Sequence, residues 1–182
     1  MINLQKLHHL VRAVASITNE KNFVIVGSAS VLLTSRHIPA KMLNTDEIDI
    51  FAPDSGDEEA FSLLVESIGK GSQFDKTFHY YADGVSSKTS IMPHDWLSRA
   101  RLIENISMAG ITVKVPDIND IALAKMCAWR EKDIEWLREG VRALLITPSL
   151  MRERLSLLPD ISTPREEMER RMLAVFAFGG AP

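Results

Sequence analysis

Phe23-Val24-Ile25-Val26-Gly27-Ser28-Ala29-Ser30-Val31-Leu32-Leu33, followed after a polar interval by Asn44-Thr45-Asp46-Glu47-Ile48-Asp49-Ile50-Phe51, is the stretch on which the reading of this chain turns. The apolar run at 23–26, β-branched and aromatic, reads as a buried strand. Gly27 ends it, and Ser28 is placed to cap a helix through Val31, Leu32 and Leu33. That helix is expected to close near Arg36-His37, ahead of Pro39. A second strand follows at Glu47–Phe51 and stops before Pro53. Strand side chains alternate between faces, so Glu47 and Asp49 share one face while Ile48 and Ile50 point to the core. Asp46 falls on the side away from Asp49.

Two carboxylates on one face, near a Gly-Ser helix start, suit a divalent cation and a phosphate. Magnesium takes carboxylate oxygens and is commonly shared with substrate phosphates. A pair of such ions can activate an attacking oxygen and stabilise departing pyrophosphate. The plain alternative is that the acids at 46, 47 and 49 mark a solvent-exposed strand end. Likewise Gly27-Ser28 holds an anion only if it opens a helix, and otherwise is a tight connection. The chain has no Gly-x-x-x-x-Gly-Lys-[Ser/Thr] and no Gly-x-Gly-x-x-Gly, which excludes a P-loop and leaves a dinucleotide fold without support.

At 182 residues the chain is one domain, or one domain with a helical appendage. With 46% hydrophobic and 25% charged residues it can bury a sizeable core. No apolar run approaches the ~18 residues of a membrane span, so no membrane partner is expected. Met-Ile-Asn-Leu-Gln-Lys-Leu-His-His lacks the basic head and apolar run of a signal peptide. The single cysteine, Cys127, permits no internal disulfide and fits a reducing cytoplasm, the expected location. Net charge is −3, so an RNA substrate would need a local basic patch.

Elsewhere, Leu4, Leu7, Leu10, Val11, Val14 and Ile17 predict an amphipathic helix over 2–17. His8 and His9 are adjacent on it and face different directions, which argues against a metal pair. Asp54-Ser55-Gly56-Asp57 opens a helix bearing Ala60, Phe61, Leu64, Val65 and Ile68. A turn at Gly69–Ser72 leads to an expected strand from Phe78 to Val85 that holds Asp83. Ile91–Leu97 reads as an irregular link and Ile106–Val115 as a hairpin divided at Ala109-Gly110. Asp117 and Asp120 resemble a capping pair for a helix running through Asp133 and beyond. Residues 118–146 make one long helix or two, with Gly140 the weak point. Thr163-Pro164-Arg165-Glu166 starts a last helix, on which Met168, Met172, Val175 and Phe176 form an apolar stripe. The expected fold is α/β (α+β), a small mixed β-sheet with packed helices and a helical C-terminal segment. Residues 1–135 are its core, with the N-terminal helix, and 136–182 the helical segment packed on the same domain.

On a continuous helix Lys125 and Lys132 are seven apart and nearly aligned, with Trp129 between them, an arrangement fit for phosphates and a base. Arg130 and Asp133, three apart, can pair. The alternative is a solvated charged face. Cys127 sits in an apolar helix and reads as a packed thiol. His79 and His94 flank the Asp83 segment without metal-ligand spacing, and no Ser/His/Asp triad can be asserted.

Taken together, Val26-Gly27-Ser28, a helix, and Glu47-Ile48-Asp49-Ile50 about twenty residues on resemble the nucleotidyltransferase superfamily that includes DNA polymerase beta. Tyr80-Tyr81-Ala82-Asp83-Gly84-Val85, Pro93-x-x-Trp96-x-x-Arg99, Val115-Pro116-Asp117, Lys125 and Arg130-Glu131-Lys132-Asp133 extend the likeness to AbiEii-type nucleotidyltransferase domains, the toxin half of type IV toxin–antitoxin pairs. The similarity covers residues 23–135. It departs at Glu47, where the family's first metal acid is usually aspartate.

The resemblance implies a Mg²⁺-dependent enzyme that transfers a nucleoside monophosphate from an NTP to a hydroxyl, and the longer Glu47 points to Mn²⁺ as a substitute. Glu47 and Asp49 would hold the metal, and Asp83 would accept the proton or complete the site. Gly27 and Ser28 would cradle phosphate, while Lys125, Lys132 and Arg130 would neutralise the triphosphate and Asp133 would brace them. The implied acceptor is tRNA or a protein, with a growth-limiting role and a cognate antitoxin as partner. The alternative is a catalytically degenerate domain that binds nucleotide or a protein.

Overall fold

Asn22–Val26 (β1) and Glu47–Phe51 (β2) run antiparallel at the centre of the sheet, with Val24 opposite Phe51 and Val26 opposite Asp49. The structure is a computed structural model that describes residues 1–35, 37–106, 110–159 and 163–179. Tyr81–Gly84 (β3) lies parallel to β2 on its outer side. Arg101–Ile106 (β4) and Ile111–Val115 (β5) form an antiparallel pair, and β5 runs parallel to β1. The order β3-β2-β1-β5-β4 makes a mixed sheet, as the α/β reading requires.

Burial explains why the two central strands look different in sequence. Phe23 to Val26 are all buried, so β1 is a continuous apolar run, whereas β2 alternates buried Ile48 and Ile50 with half-buried Glu47 and Asp49. Leu4–Thr18 (α1) packs Leu7, Leu10, Val11 and Val14 into this core. Asn3 caps it by accepting from the Lys6 N–H, and left-handed Asn19 ends it. Leu4, expected on the apolar stripe, is exposed. Glu58–Glu66 (α3) is capped by Asp57 and buries Phe61 and Val65; Leu64 faces solvent. Each side chain so buried contributes roughly 1.5–3 kcal/mol.

Several expectations are corrected. The helix after Gly27 is a single turn, Gly27–Ser30 (α2), continued by 3-10 turns at Val31–Leu33 and Ala40–Leu43. It ends before the expected Arg36-His37, of which Arg36 lies outside the described residues. The strand expected over Phe78–Val85 is only β3, because Gln73–Phe78 forms a helix (α4) capped by Ser72 and closed by left-handed His79. A short helix, Trp96–Arg99 (α5), interrupts the expected irregular link. The first hairpin strand begins earlier than expected, at Arg101; of the expected divider, Gly110 takes a left-handed turn and Ala109 lies outside the described residues.

The break in the late helical run falls at Trp129, not Gly140. Ile118–Ala128 (α6) closes on Trp129 at φ 50°, and Glu131–Arg142 (α7) starts anew. Pro148–Leu155 (α8) and Arg165–Gly179 (α9) follow. These helices bury a second apolar cluster including Met42, Leu123, Met126, Trp136, Leu137, Met151 and Met168. Trp136 Nε1 donates to the Met42 carbonyl at 3.1 Å, which ties the 40–43 turn to α7. The 135/136 line falls inside α7, and α6 packs with the C-terminal helices. Among the described residues no helix is long and apolar enough to cross a membrane.

Candidate active site

Neighbouring strands β2 and β3 set Glu47 beside Tyr81 and Asp49 beside Asp83, in parallel register. Because side chains two apart share a face, these four project together. The three acids do so where the α2 turn, α6 and the start of α7 surround a cleft of about 600 Å³. Gly27, Ser28, Glu47, Asp49, Asp83, Lys125, Arg130, Lys132 and Asp133, the residues singled out in the sequence, all line it. Asp46 points elsewhere and pairs with the Met1 ammonium. His79 and His94 are not among the cleft residues.

Gly27 brings the turn against the acids. Its φ is +66°, a backbone region that L side chains rarely adopt. A Cβ there would overlap Asp49 Oδ2. Ser28 does not cap α2, whose first residues have no side-chain cap. With one helical turn behind it, any phosphate held here would rely on local N–H groups more than on a helix dipole.

The acids crowd one another. Burial, then the charges of Glu47 and Asp83, push Asp49 up to about 7, against the opposing pull of Lys125 and Lys132. Asp83 is raised by burial, then by Glu47 and Glu66. Half-buried Glu47 and Asp49 beside exposed Asp83 repel one another, and a cation relieves that repulsion.

The basic wall comes from two helices. Lys125 and Lys132 were expected on one helix face with Trp129 between them; the chain reversal at Trp129 instead puts Lys125 on α6 and Lys132 on α7. Lys125 Nζ lies 3.0 Å from Asp133 Oδ1 and 5.0 Å from the Trp136 ring, so Trp136 takes the place expected of Trp129. Trp129 stacks under Arg171 instead. Arg130 Nε is 3.9 Å from Asp133 Oδ2, a weaker partner than Lys125. Lys132, largely exposed, reaches back to Glu47 Oε1 at 3.7 Å. Of the expected capping pair, Asp117 caps α6 and Asp120 does not take part. Asp117 accepts from the Asn119 N–H, while Asp120, fully buried, takes a two-point contact from Arg99.

Tyr81 was missed by the sequence reading, although it stands two residues before Asp83 and therefore shares its face. Its hydroxyl donates to Glu47 Oε2 at 3.0 Å. Cys127 also lines the cleft, but burial pushes its thiol up to about 11, which makes it unreactive near neutral pH. His9 hydrogen-bonds the Tyr80 hydroxyl and stacks on Phe74, away from the cleft.

Among the described residues no group of three or more His, Cys, Asp or Glu side chains is arranged to hold a metal. Magnesium needs less protein than that, since one or two carboxylates plus substrate phosphates and water complete its shell. Glu47 and Asp49, oxygen donors whose repulsion a cation would relieve, fit that requirement.

No curated protein and no solved structure matches the chain. The family model described as "nucleotidyltransferase of unknown function (DUF6036)" matches residues 2–172, and the chain belongs to that family.

Proposed function

We propose that this protein is a Mg²⁺-dependent nucleotidyltransferase that moves a nucleoside monophosphate from an NTP to a hydroxyl, releasing pyrophosphate. The observation that carries the reading is the meeting of Glu47, Asp49 and Asp83 with the Gly27 turn and two lysines in one cleft. Glu47 and Asp49 would hold the magnesium, which supplies charge neutralisation at the phosphates and activation of the acceptor oxygen. Asp83, with its pKa raised, is suited to take the acceptor's proton. Lys132 and Lys125 would neutralise charge building on the departing pyrophosphate, with Lys125 held in place by Asp133. Gly27 and Ser28 would contact phosphate through the backbone.

The finer reading, an AbiEii-type toxin acting on tRNA or a protein and restrained by a cognate antitoxin in the cytoplasm, is supported by the sequence resemblance. Incubation of the purified protein with each labelled NTP, Mg²⁺ or Mn²⁺, and total RNA or lysate tests both levels. Label transfer lost in Asp49→Asn supports the enzyme, and the labelled species names the acceptor. Growth arrest on expression, abolished by the same substitution, supports the toxin role.

A second reading is favoured by one observation: Glu47 replaces the usual aspartate and is already paired with Lys132. On that reading the domain binds nucleotide or a protein partner without catalysis. Binding of NTP with no pyrophosphate release under any metal would select it.

A further inference from the structure

Glu47 has one more methylene and one more rotatable bond than an aspartate, so its carboxylate is the less constrained of the pair it makes with Asp49. Directly opposite it on β3 stands Tyr81, half-buried, whose hydroxyl donates to Glu47 Oε2 at 3.0 Å. The other oxygen, Oε1, is the one turned to Lys132 Nζ at 3.7 Å. Glu47, Asp49, Asp83 and Tyr81 occupy the four corners of a square on one face of two strands. Three corners are acids, and the fourth is a neutral donor.

We propose that Tyr81 is a positioning residue: it pins Glu47 Oε2 so that Oε1 is presented to a divalent cation beside Asp49, offsetting the freedom of the longer side chain. The proposal rests on the reading of Glu47 and Asp49 as the cation-holding pair. Partners that orient a metal's own ligands typically change its affinity by tenfold or more. A phenol can fill this role without adding charge to an already crowded set of acids.

The test is Mn²⁺ titration of the full chain, without nucleotide, followed by electron paramagnetic resonance. Wild type is compared with Tyr81→Phe, Glu47→Asp, the double variant and Asp49→Asn, with thermal melts alongside. Tyr81→Phe is expected to weaken Mn²⁺ binding about tenfold with its melt unchanged. In the Glu47→Asp background, where the shorter side chain withdraws from the phenol, the same change is expected to alter affinity less than about twofold. Wild-type affinity in Tyr81→Phe, or an equal loss in both backgrounds, overturns the proposal while leaving the cation site intact if Asp49→Asn still loses binding. Absence of Mn²⁺ binding in wild type, or its persistence in Asp49→Asn, overturns the cation-site reading and the role of Tyr81 with it.

Discussion

Gly27 and Asp49 stand so close across the β1–β2 pairing that a Cβ on the glycine would overlap Asp49 Oδ2 and lie 3.3 Å from its carboxyl carbon. The glycine therefore meets two demands at once. It takes a positive φ that reverses the chain out of β1, and it leaves room for the carboxylate that the cleft is built around.

Gly27→Ala should accordingly do more damage than a turn substitution. The left-handed backbone alone costs about 1–2 kcal/mol for an L side chain, and the new methyl must displace Asp49. The expected outcome is a lower urea midpoint and at least about a tenfold loss of label transfer, since small misplacements of reacting groups are expensive. Unchanged transfer would show that Asp49 does not need its present position.

Asp49 makes stability depend on pH in a definite direction. Its folded pKa of about 7 lies above the ordinary 3.8, so between those values the folded chain keeps a proton that the unfolded chain has released. Its contribution is full below pH 3.8 and is lost as pH rises through 7. Asp49→Asn should therefore exceed wild type by about 1–3 kcal/mol at pH 8 and show no such gain near pH 4. Urea unfolding at the two pH values measures this. Added Mg²⁺ should stabilise wild type at pH 8 and leave the variant unmoved.

The two cleft lysines should separate by phenotype. Lys125 and Asp133 are both largely buried and paired, so Lys125→Ala strands a carboxylate and should cost about 3–5 kcal/mol. The Lys132 side chain is 66% exposed, so Lys132→Ala should change stability by less than about 1 kcal/mol. Its effect is expected on NTP affinity, read by calorimetry with a non-hydrolysable NTP. A large loss of stability in Lys132→Ala would mean that its pairing with Glu47 matters to folding.

Asp120 should matter to stability alone. It is fully buried and takes hydrogen bonds from Arg99 Nε at 3.1 Å and Nη2 at 2.9 Å, with Arg154 Nη1 3.2 Å away. The contact joins α5, α6 and α8. Asp120→Ala removes the shared carboxylate but leaves Arg99 its contact with Asp95 and Arg154 its contact with Asp117, so a loss of about 1.5–3 kcal/mol is expected in urea unfolding. A change below about 1 kcal/mol would show that solvent replaces the carboxylate.

Local chemistry was enough to make β1, β2 and several helix starts legible: apolar runs, strict alternation and side-chain caps act over a few residues. Asp57 caps its helix through a contact three residues ahead, and the shared face of Glu47 and Asp49 follows from the two-residue period of a strand. The helix ends were less legible. Trp129 adopts a left-handed conformation without being glycine or asparagine, so nothing in its type announces the break between α6 and α7. Asp120 looked like a cap because its true partner, Arg99, lies 21 residues earlier in the chain.

By itself the sequence determined which strands carry the acids, which face those acids share and which residue types are available to a phosphate and a cation, because these depend on periodicity and composition. Only the tertiary structure decided that β3 lies beside β2 in a register that sets Tyr81 against Glu47, and that α6 and α7 meet at a bend with Trp136 under Lys125. Strand order and helix packing are settled by burying apolar surface between segments far apart in the chain, and that competition leaves no mark on any single stretch of residues.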